Sequence, residues 1–176
     1  MNARLLGVVK SLRTVVRAVQ RSYYKRLALL QVGSYTEPVR VNGPTRFTPR
    51  TTLGKNTNFN GLTISGRGWV HIGDNFHSGP ECMLITSYHN YDHGTSIPYD
   101  RTFVDKDITI EENVWLGTRV IVLGGVRLGE GCIIQAGSVV VTDIERCAIA
   151  GGSPARVFKY RDVEHYETLK AQGKVL

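Results

Sequence analysis

A period of six residues governs this chain over 104–151. Read in sixes from Val104, the segments VDKDIT, IEENVW, LGTRVI, VLGGVR, LGEGCI, IQAGSV and VVTDIE give one place to Val104, Ile110, Leu116, Val122, Leu128, Ile134 and Val140. Two positions before these anchors run Ile108, Val114, Val120, Val126, Cys132 and Ser138, and a glycine directly follows the anchor at Gly117 and Gly129. Neither a 3.6-residue helix nor plain two-residue alternation has this period. A repeated unit of a short strand and a tight turn does.

Each hexad then forms one flat face of a triangular prism, with its anchor stacked on those of the coils above and below, and three hexads complete a coil. Glycine is expected at the corners because it accepts positive φ without steric cost. Consecutive anchors in a single register argue against chance alternation in a β-sandwich. An earlier series, Val41, Phe47, Leu53 and Phe59, has the same spacing, with Pro44 and Pro49 suggesting irregular first coils. The phase slips by one residue through 66–68 and resumes at Ile72, Ser78 and Leu84. Over 86–103 it stops, because TSYHNYDHGTSIPYDRTF is polar, aromatic and rich in histidine and cannot supply stacked anchors. That segment must project, and a loop thrown out of a regular solenoid is a candidate functional site.

The 176 residues make one domain's worth of chain. They divide into a helical arm (1–32), a β-helix (33–158) with the extruded loop 86–103, and a C-terminal helix and tail (159–176). The formal net charge of +7 comes from the arm, where Arg4, Lys10, Arg13, Arg17, Arg21, Lys25 and Arg26 meet no acidic residue. Its apolar residues, including Leu5, Val8, Val9, Leu12, Val15, Val16, Val19, Tyr23, Leu27 and Leu30, recur at three- and four-residue spacing. The pattern is neither a transmembrane span nor a signal peptide. It fits a helix lying on an anionic membrane surface, or one capping the open end of the prism. Nucleic acid is poorly supported, since aromatics are not interleaved with the cations. Cys82, Cys132 and Cys147 form no CxxC pair and their odd number argues against a disulfide framework, which fits a reducing cytoplasm. The tail reads as a short helix ending near Gly173, with Val163, Tyr166 and Leu169 as its packing edge.

Three blocks carry a resemblance. Asn113-Val114-Trp115-Leu116-Gly117, then 134–140 (IQAGSVV), then 150–157 (AGGSPARV) resemble, in order and spacing, the closing half of hexapeptide-repeat acyltransferases, the maltose, galactoside and polysaccharide O-acetyltransferase group. The resemblance implies an all-β solenoid, a left-handed parallel β-helix, acting as a homotrimer with active sites between subunits. It implies acetyl-CoA as cosubstrate, no metal, and a saccharide acceptor, a surface polysaccharide or sugar precursor; the expected location is cytoplasmic, at the inner face of the membrane if the basic helix meets it.

Acyl transfer to a hydroxyl needs a base, and histidine suits that role because its pKa lies near neutral pH. His71, His77, His89, His93 and His165 are available, and His71 and His77 read as surface residues of one face. The resemblance selects His89, in Ser87-Tyr88-His89-Asn90-Tyr91-Asp92, as the catalytic base, with His93 as runner-up and Asp92 as a group that could orient the imidazole. It implies that Trp115 lies near the thioester, that Gly117, Thr118 and Ala136 meet the pantetheine, and that Arg156 and Lys159 face the adenosine phosphates. Thr142 belongs to the same set, though the chain departs there: Val140-Val141-Thr142-Asp143 shifts the hydroxyl by one place and lacks the lysine common in the family. Two other activities suit such a scaffold. One is N-acetylation of an amino sugar. The other is zinc carbonic anhydrase chemistry, which needs three imidazoles on one metal and leaves the three blocks unexplained.

Overall fold

The computed structural model of the chain describes residues 3–176. Residues 1–2, and the side chains of 3–10, lie outside the described residues, and with them Arg4, Leu5, Val8, Val9 and Lys10 of the expected helical faces. A long helix, α1 (Ala3–Leu29), leads into a prism of three parallel ladders, and a short helix, α2 (Val163–Ala171), follows it. The first face stacks Ser34–Tyr35, Thr51–Leu53, Val70–Ile72, Ile108–Ile110 and Arg127–Leu128. Val39–Val41, Thr57–Phe59, His77–Ser78, Trp115–Leu116, Ile133–Ile134 and Ala148–Gly152 form the second. The third stacks Leu62–Ser65, Cys82–Ile85, Ile121–Leu123 and Val139–Val140.

The pairings give the length of each coil. Thr109 pairs with Arg127, Trp115 with Ile133 and Ile121 with Val139, each eighteen residues on, which is three hexads. The first coil has the same length, Arg40 pairing with Asn58 eighteen residues on, but the next is longer, because Thr52 pairs with His71 nineteen residues on and Thr63 with Met83 twenty on, which absorbs the phase slip. The last coil is shorter: Leu128 meets Ile144 and Ile133 meets Ile149 at sixteen. The missing residues fall at 141–143, where the sequence departs from the family pattern.

Anchors Ile110, Leu116, Val122, Leu128, Ile134 and Val140 are all buried, as is the second track from Ile108 to Ser138. Their removal from water is the main force closing the prism. At the N-terminal end Phe47, Phe59 and Phe76 fill the axis, with ring centroids 5.0 and 5.4 Å apart. Val104 is an exception. It is only half-buried and belongs to Phe103–Asp105, which runs antiparallel to Ser87–His89 in a hairpin outside the prism. The hairpin therefore extends the projecting loop beyond the expected 103.

The anchor-following glycines also have a different cause from the one expected. Gly79, Gly117 and Gly129 do not take positive φ. A Cβ at each would lie 2.6 Å from a backbone nitrogen of the next coil, those of Thr118, Ala136 and Arg146, so glycine is needed for room. Positive φ falls instead three residues after an anchor, at Asn56, Asn75 and Asn113, asparagine being the residue beside glycine that tolerates it best. These side chains climb the edge as a ladder, Asn56 Nδ2 donating to Asn75 Oδ1 and Asn75 Nδ2 to Asn113 Oδ1, both at 2.9 Å. Asn113 Nδ2 donates in turn to the Tyr166 hydroxyl at 3.0 Å. At the next rung stands Gly131, and the Tyr166 ring occupies the space a side chain would take there.

Tyr166 belongs to α2, whose N-cap Asp162 accepts from the His165 N–H at 3.0 Å. The expected packing edge is incomplete, since Val163 is exposed and only Tyr166 and Leu169 are half-buried. Polar contacts fasten the helix instead. Lys170 Nζ donates to Glu112 and Glu130 at 2.8 and 2.7 Å, and Tyr166 OH donates to Glu130 at 2.9 Å. Burial by itself would raise the Glu130 carboxyl, but the bonds from Lys170, Arg146 and Tyr166 outweigh it and hold the group at about 2. Before α2, Ala155–Tyr160 turns back antiparallel on Ala148–Gly152, so the β-structure runs past 158, where the tail was expected to begin.

At the other end, Ala28 of α1 is fully buried and Tyr24, Leu29 and Val32 pack on the first coil. Lys25 Nζ lies 2.9 Å from a Glu37 carboxylate oxygen. The last turns of α1 thus cover the open end of the prism.

Two outcomes follow from this packing. Gly117→Ala should destabilise the protein by about 1–3 kcal/mol, the range for overpacking against a backbone that cannot yield, read as a lower midpoint in thermal unfolding. Glu130 has a depressed carboxyl, so its contribution is complete above the ordinary value of 4.5 and is lost as pH falls toward about 2. Wild-type and Glu130→Gln melting temperatures should therefore converge between pH 5 and 2, whereas a constant gap would assign the stabilisation to another group.

Candidate functional site

The hairpin leaves the prism at the corner between the third and first faces, with its root tied down by side chains. Thr86 Oγ1 donates to Ser65 O at 2.9 Å and accepts from Gly68 N at 3.1 Å. Ser87 Oγ donates to Asp105 at 2.5 Å, and Arg67 Nε stands 3.2 Å from the other Asp105 oxygen. Lys106 lies over the Tyr88 ring, and side-chain hydrogen bonding with Tyr88, then its charge, raises the Lys106 pKa. Farther out, Asp100 gathers the tip by accepting from Thr102 N, Thr102 Oγ1 and Thr95 N at 2.8, 2.5 and 3.0 Å. Those bonds hold its carboxyl at about 2. The loop is thus a built structure.

Within it His89 is clamped between two rings. Tyr99 stacks on the imidazole at 3.7 Å with 13° between the planes, and Phe103, its partner in the hairpin register, approaches to 4.4 Å. The His89 Nδ1 atom is buried and has no hydrogen-bond partner among the described residues. Asp92, exposed on the loop, therefore does not fix the tautomer through Nδ1. His93 is also exposed, and its backbone N–H donates to Asn90 Oδ1 at 3.1 Å. Tyr99 and Phe103 were missed by sequence reasoning. The only signal for them was that aromatic side chains recur along a loop that builds no core.

The other candidates occupy different parts of the prism. Trp115 is half-exposed on the outer row of the second face, between His77 and Ile133. Gly117 and Thr118 lie at the corner where that face turns into the third, and Ala136 takes the same corner place as Thr118 one coil on. Lys159 continues the row of Trp115 by pairing with Ile149, and Arg156 is exposed on the same reversed strand. Thr142 is exposed at the corner from which, farther back, the hairpin projects. His71 and His77 fall on different faces, not one, because a step of six residues leads from each face to the next. His71 bonds Thr52 Oγ1 at 2.8 Å, while burial, and then Arg40, lowers the pKa of His77. Among the described residues, no group of three or more His, Cys, Asp or Glu is arranged to hold a metal.

In a triangular prism the corner carrying the hairpin is opposite the second face. One subunit therefore keeps His89 away from Trp115. A cavity of about 470 Å³ opens beside Trp115, between the second face and α2, with His77, Asn113, Arg161 and Tyr166 in its walls. Beyond Thr63, the outer row of the third face, between the two corners, is apolar: Met83, Ile121 and Val139, flanked by Ile85, Leu123 and Val141.

Residues 107–142 match the family model described as bacterial transferase hexapeptide (six repeats). Galactoside O-acetyltransferase of Escherichia coli K12 is 36% identical over 119 residues, which is 65% of this chain and 57% of that protein. The galactoside O-acetyltransferase of Lactococcus lactis is 38% identical over 118 residues, 67% of this chain and 56% of its own. The chain thus spans a little over half the length of these curated relatives. Among solved structures, a galactoside acetyltransferase in complex with coenzyme A superposes with a TM-score of 0.66 at 32% identity, covering 76% of this chain and 68% of that one.

Proposed function

The chain belongs to the hexapeptide-repeat acetyltransferase group that includes the galactoside acetyltransferases, and we propose that it transfers an acetyl group from acetyl-CoA to a saccharide hydroxyl. The observation that carries this reading is the His89 imidazole, clamped between Tyr99 and Phe103 with a buried, unpartnered nitrogen, in a chain 32% identical to a CoA-bound relative.

In the proposed reaction one His89 nitrogen takes the proton of the acceptor hydroxyl, whose oxygen attacks the acetyl carbonyl. Backbone N–H groups of a neighbouring coil stabilise the oxyanion. As the intermediate collapses, the carbon–sulfur bond breaks and the thiolate leaves with the proton returned by the imidazolium. No acyl-enzyme forms. The stacked rings hold the imidazole plane, a positioning role that Asp92 does not fill through Nδ1.

A homotrimer completes the site, with the hairpin of one subunit meeting the Trp115 face of the next. Two features support this. His89 and Trp115 are on opposite sides of one prism, and the third face exposes an aliphatic row suited to burial between copies. CoA then runs along the corner of Gly117, Thr118 and Ala136 toward Arg156 and Lys159, cations suited to its phosphates. The cavity beside Trp115 falls within the usual size of small-molecule sites, roughly 300–1,000 Å³, and receives the acceptor. Surface-polysaccharide or sugar-precursor synthesis in the cytoplasm is the proposed setting, consistent with three buried, unpaired cysteines.

His89→Ala should lower turnover by roughly 10²- to 10⁴-fold, the usual contribution of a general base, while CoA affinity stays nearly unchanged. More than half the activity retained would remove His89 from the role. Assays over neutral and amino sugars with acetyl-CoA identify the acceptor, and a strict requirement for an amine would make the enzyme an N-acetyltransferase. Replacing Arg156 and Lys159 together by Ala should weaken CoA binding in calorimetry yet barely affect a dephosphorylated pantetheine analogue. Equal losses for the two ligands would remove both cations from the phosphate site.

A further inference from the structure

The arm presents a surface that acetyl transfer does not use. Along α1, Leu12, Val15, Val16, Val19 and Tyr23 are between 47 and 64% exposed, although they form a continuous apolar stripe. The residue of α1 that is fully buried on the prism, Ala28, lies roughly 180° around the helix from Val19, since each residue turns the helix by about 100°. The helix thus packs on the first coil through Tyr24, Ala28 and Leu29 near its end and turns the longer apolar stripe outward. A helix serving only as a cap would do the reverse.

The side chains around this stripe narrow its partner. No acidic residue occurs in the first thirty positions; exposed Arg13 borders the stripe beside Leu12 and Val16, and exposed Arg17 lies next to it, farther round toward the side of Ala28. Arginine stems are long enough to follow an apolar surface while their guanidinium groups remain in a polar layer. A second protein copy offering the same face would bring like charges together at the rim. An anionic lipid surface offers hydrocarbon to the stripe and phosphates to the guanidinium groups at the same time. Among the described residues no helix is long and apolar enough to cross a membrane.

We propose that α1 lies in the plane of an anionic membrane, apolar stripe down, and holds the prism against the lipid surface on the side of its first coil. Because Ala28, Tyr24 and the Lys25–Glu37 pair join the end of the helix to the prism, attachment sets the orientation of the catalytic hairpin relative to the membrane.

The test is co-sedimentation of the full chain with vesicles of phosphatidylcholine alone and of phosphatidylcholine with phosphatidylglycerol. Val16→Glu/Val19→Glu and Arg13→Gln/Arg17→Gln/Arg21→Gln are compared with wild type, and an unchanged melting temperature verifies folding. Binding should be at least tenfold stronger to the anionic vesicles and should weaken with added salt, since exposed charges are screened over about 8 Å at physiological ionic strength. Each variant should lose at least tenfold in affinity. Equal binding to neutral and anionic vesicles, or variants that bind like wild type, would overturn the proposal. So would a wild type that ignores vesicles while the glutamate variant changes sedimentation mass, because the stripe would then be a contact between copies of this chain.

Discussion

Backbone hydrogen bonds between strands one coil apart place every outward-facing residue of the prism. Neighbouring strands sit roughly 4.7–4.9 Å apart, so a side chain on one rung has the equivalent residue of the next coil directly beside it. That spacing demands glycine where corner backbones touch, lets asparagines bond up an edge, and puts Thr118 beside Ala136. Little of the site depends on packing particular to it. Its positions are set by counting coils, and the hairpin is the main feature that the count does not determine.

This is why the sequence was so legible over the prism. In a solenoid each anchor contacts its counterparts in the adjoining coils, so a one-dimensional pattern contains most of the three-dimensional answer. The misreadings arise where that condition fails. Val104 is aliphatic and in phase, but it follows an excursion whose return path the period does not describe. The corner glycines were visible, yet sequence does not distinguish a need for conformational freedom from a need for space. Val163 fits a helical stripe and is still exposed, because α2 is attached through Glu112, Glu130 and Asn113, residues from coils far back in the chain. Tyr99 and Phe103 reach His89 only through the path of the loop.

The division of the candidate site has the same origin. A prism with three nearly flat faces has no cleft of its own, and its corners point away from one another. Chemistry requiring a base, an aromatic wall and a cationic groove together cannot be assembled on a single coil stack of this shape. It needs either a long excursion or a neighbour, and this chain has a clamped hairpin at one corner with an aliphatic face beside it.

The reversed strand Ala155–Tyr160 has a consequence for how the protein behaves at high concentration. Parallel coils propagate: the final rung of a solenoid presents unpaired amides and carbonyls in the register that a further rung would use, and a second molecule could continue the stack into a fibre. By folding back antiparallel on Ala148–Gly152, the chain occupies that edge itself and offers newcomers a strand of the opposite polarity carrying exposed Arg156 and Lys159. With α1 covering the first coil, the stack is capped at its start, and at its far end the second face is closed to growth.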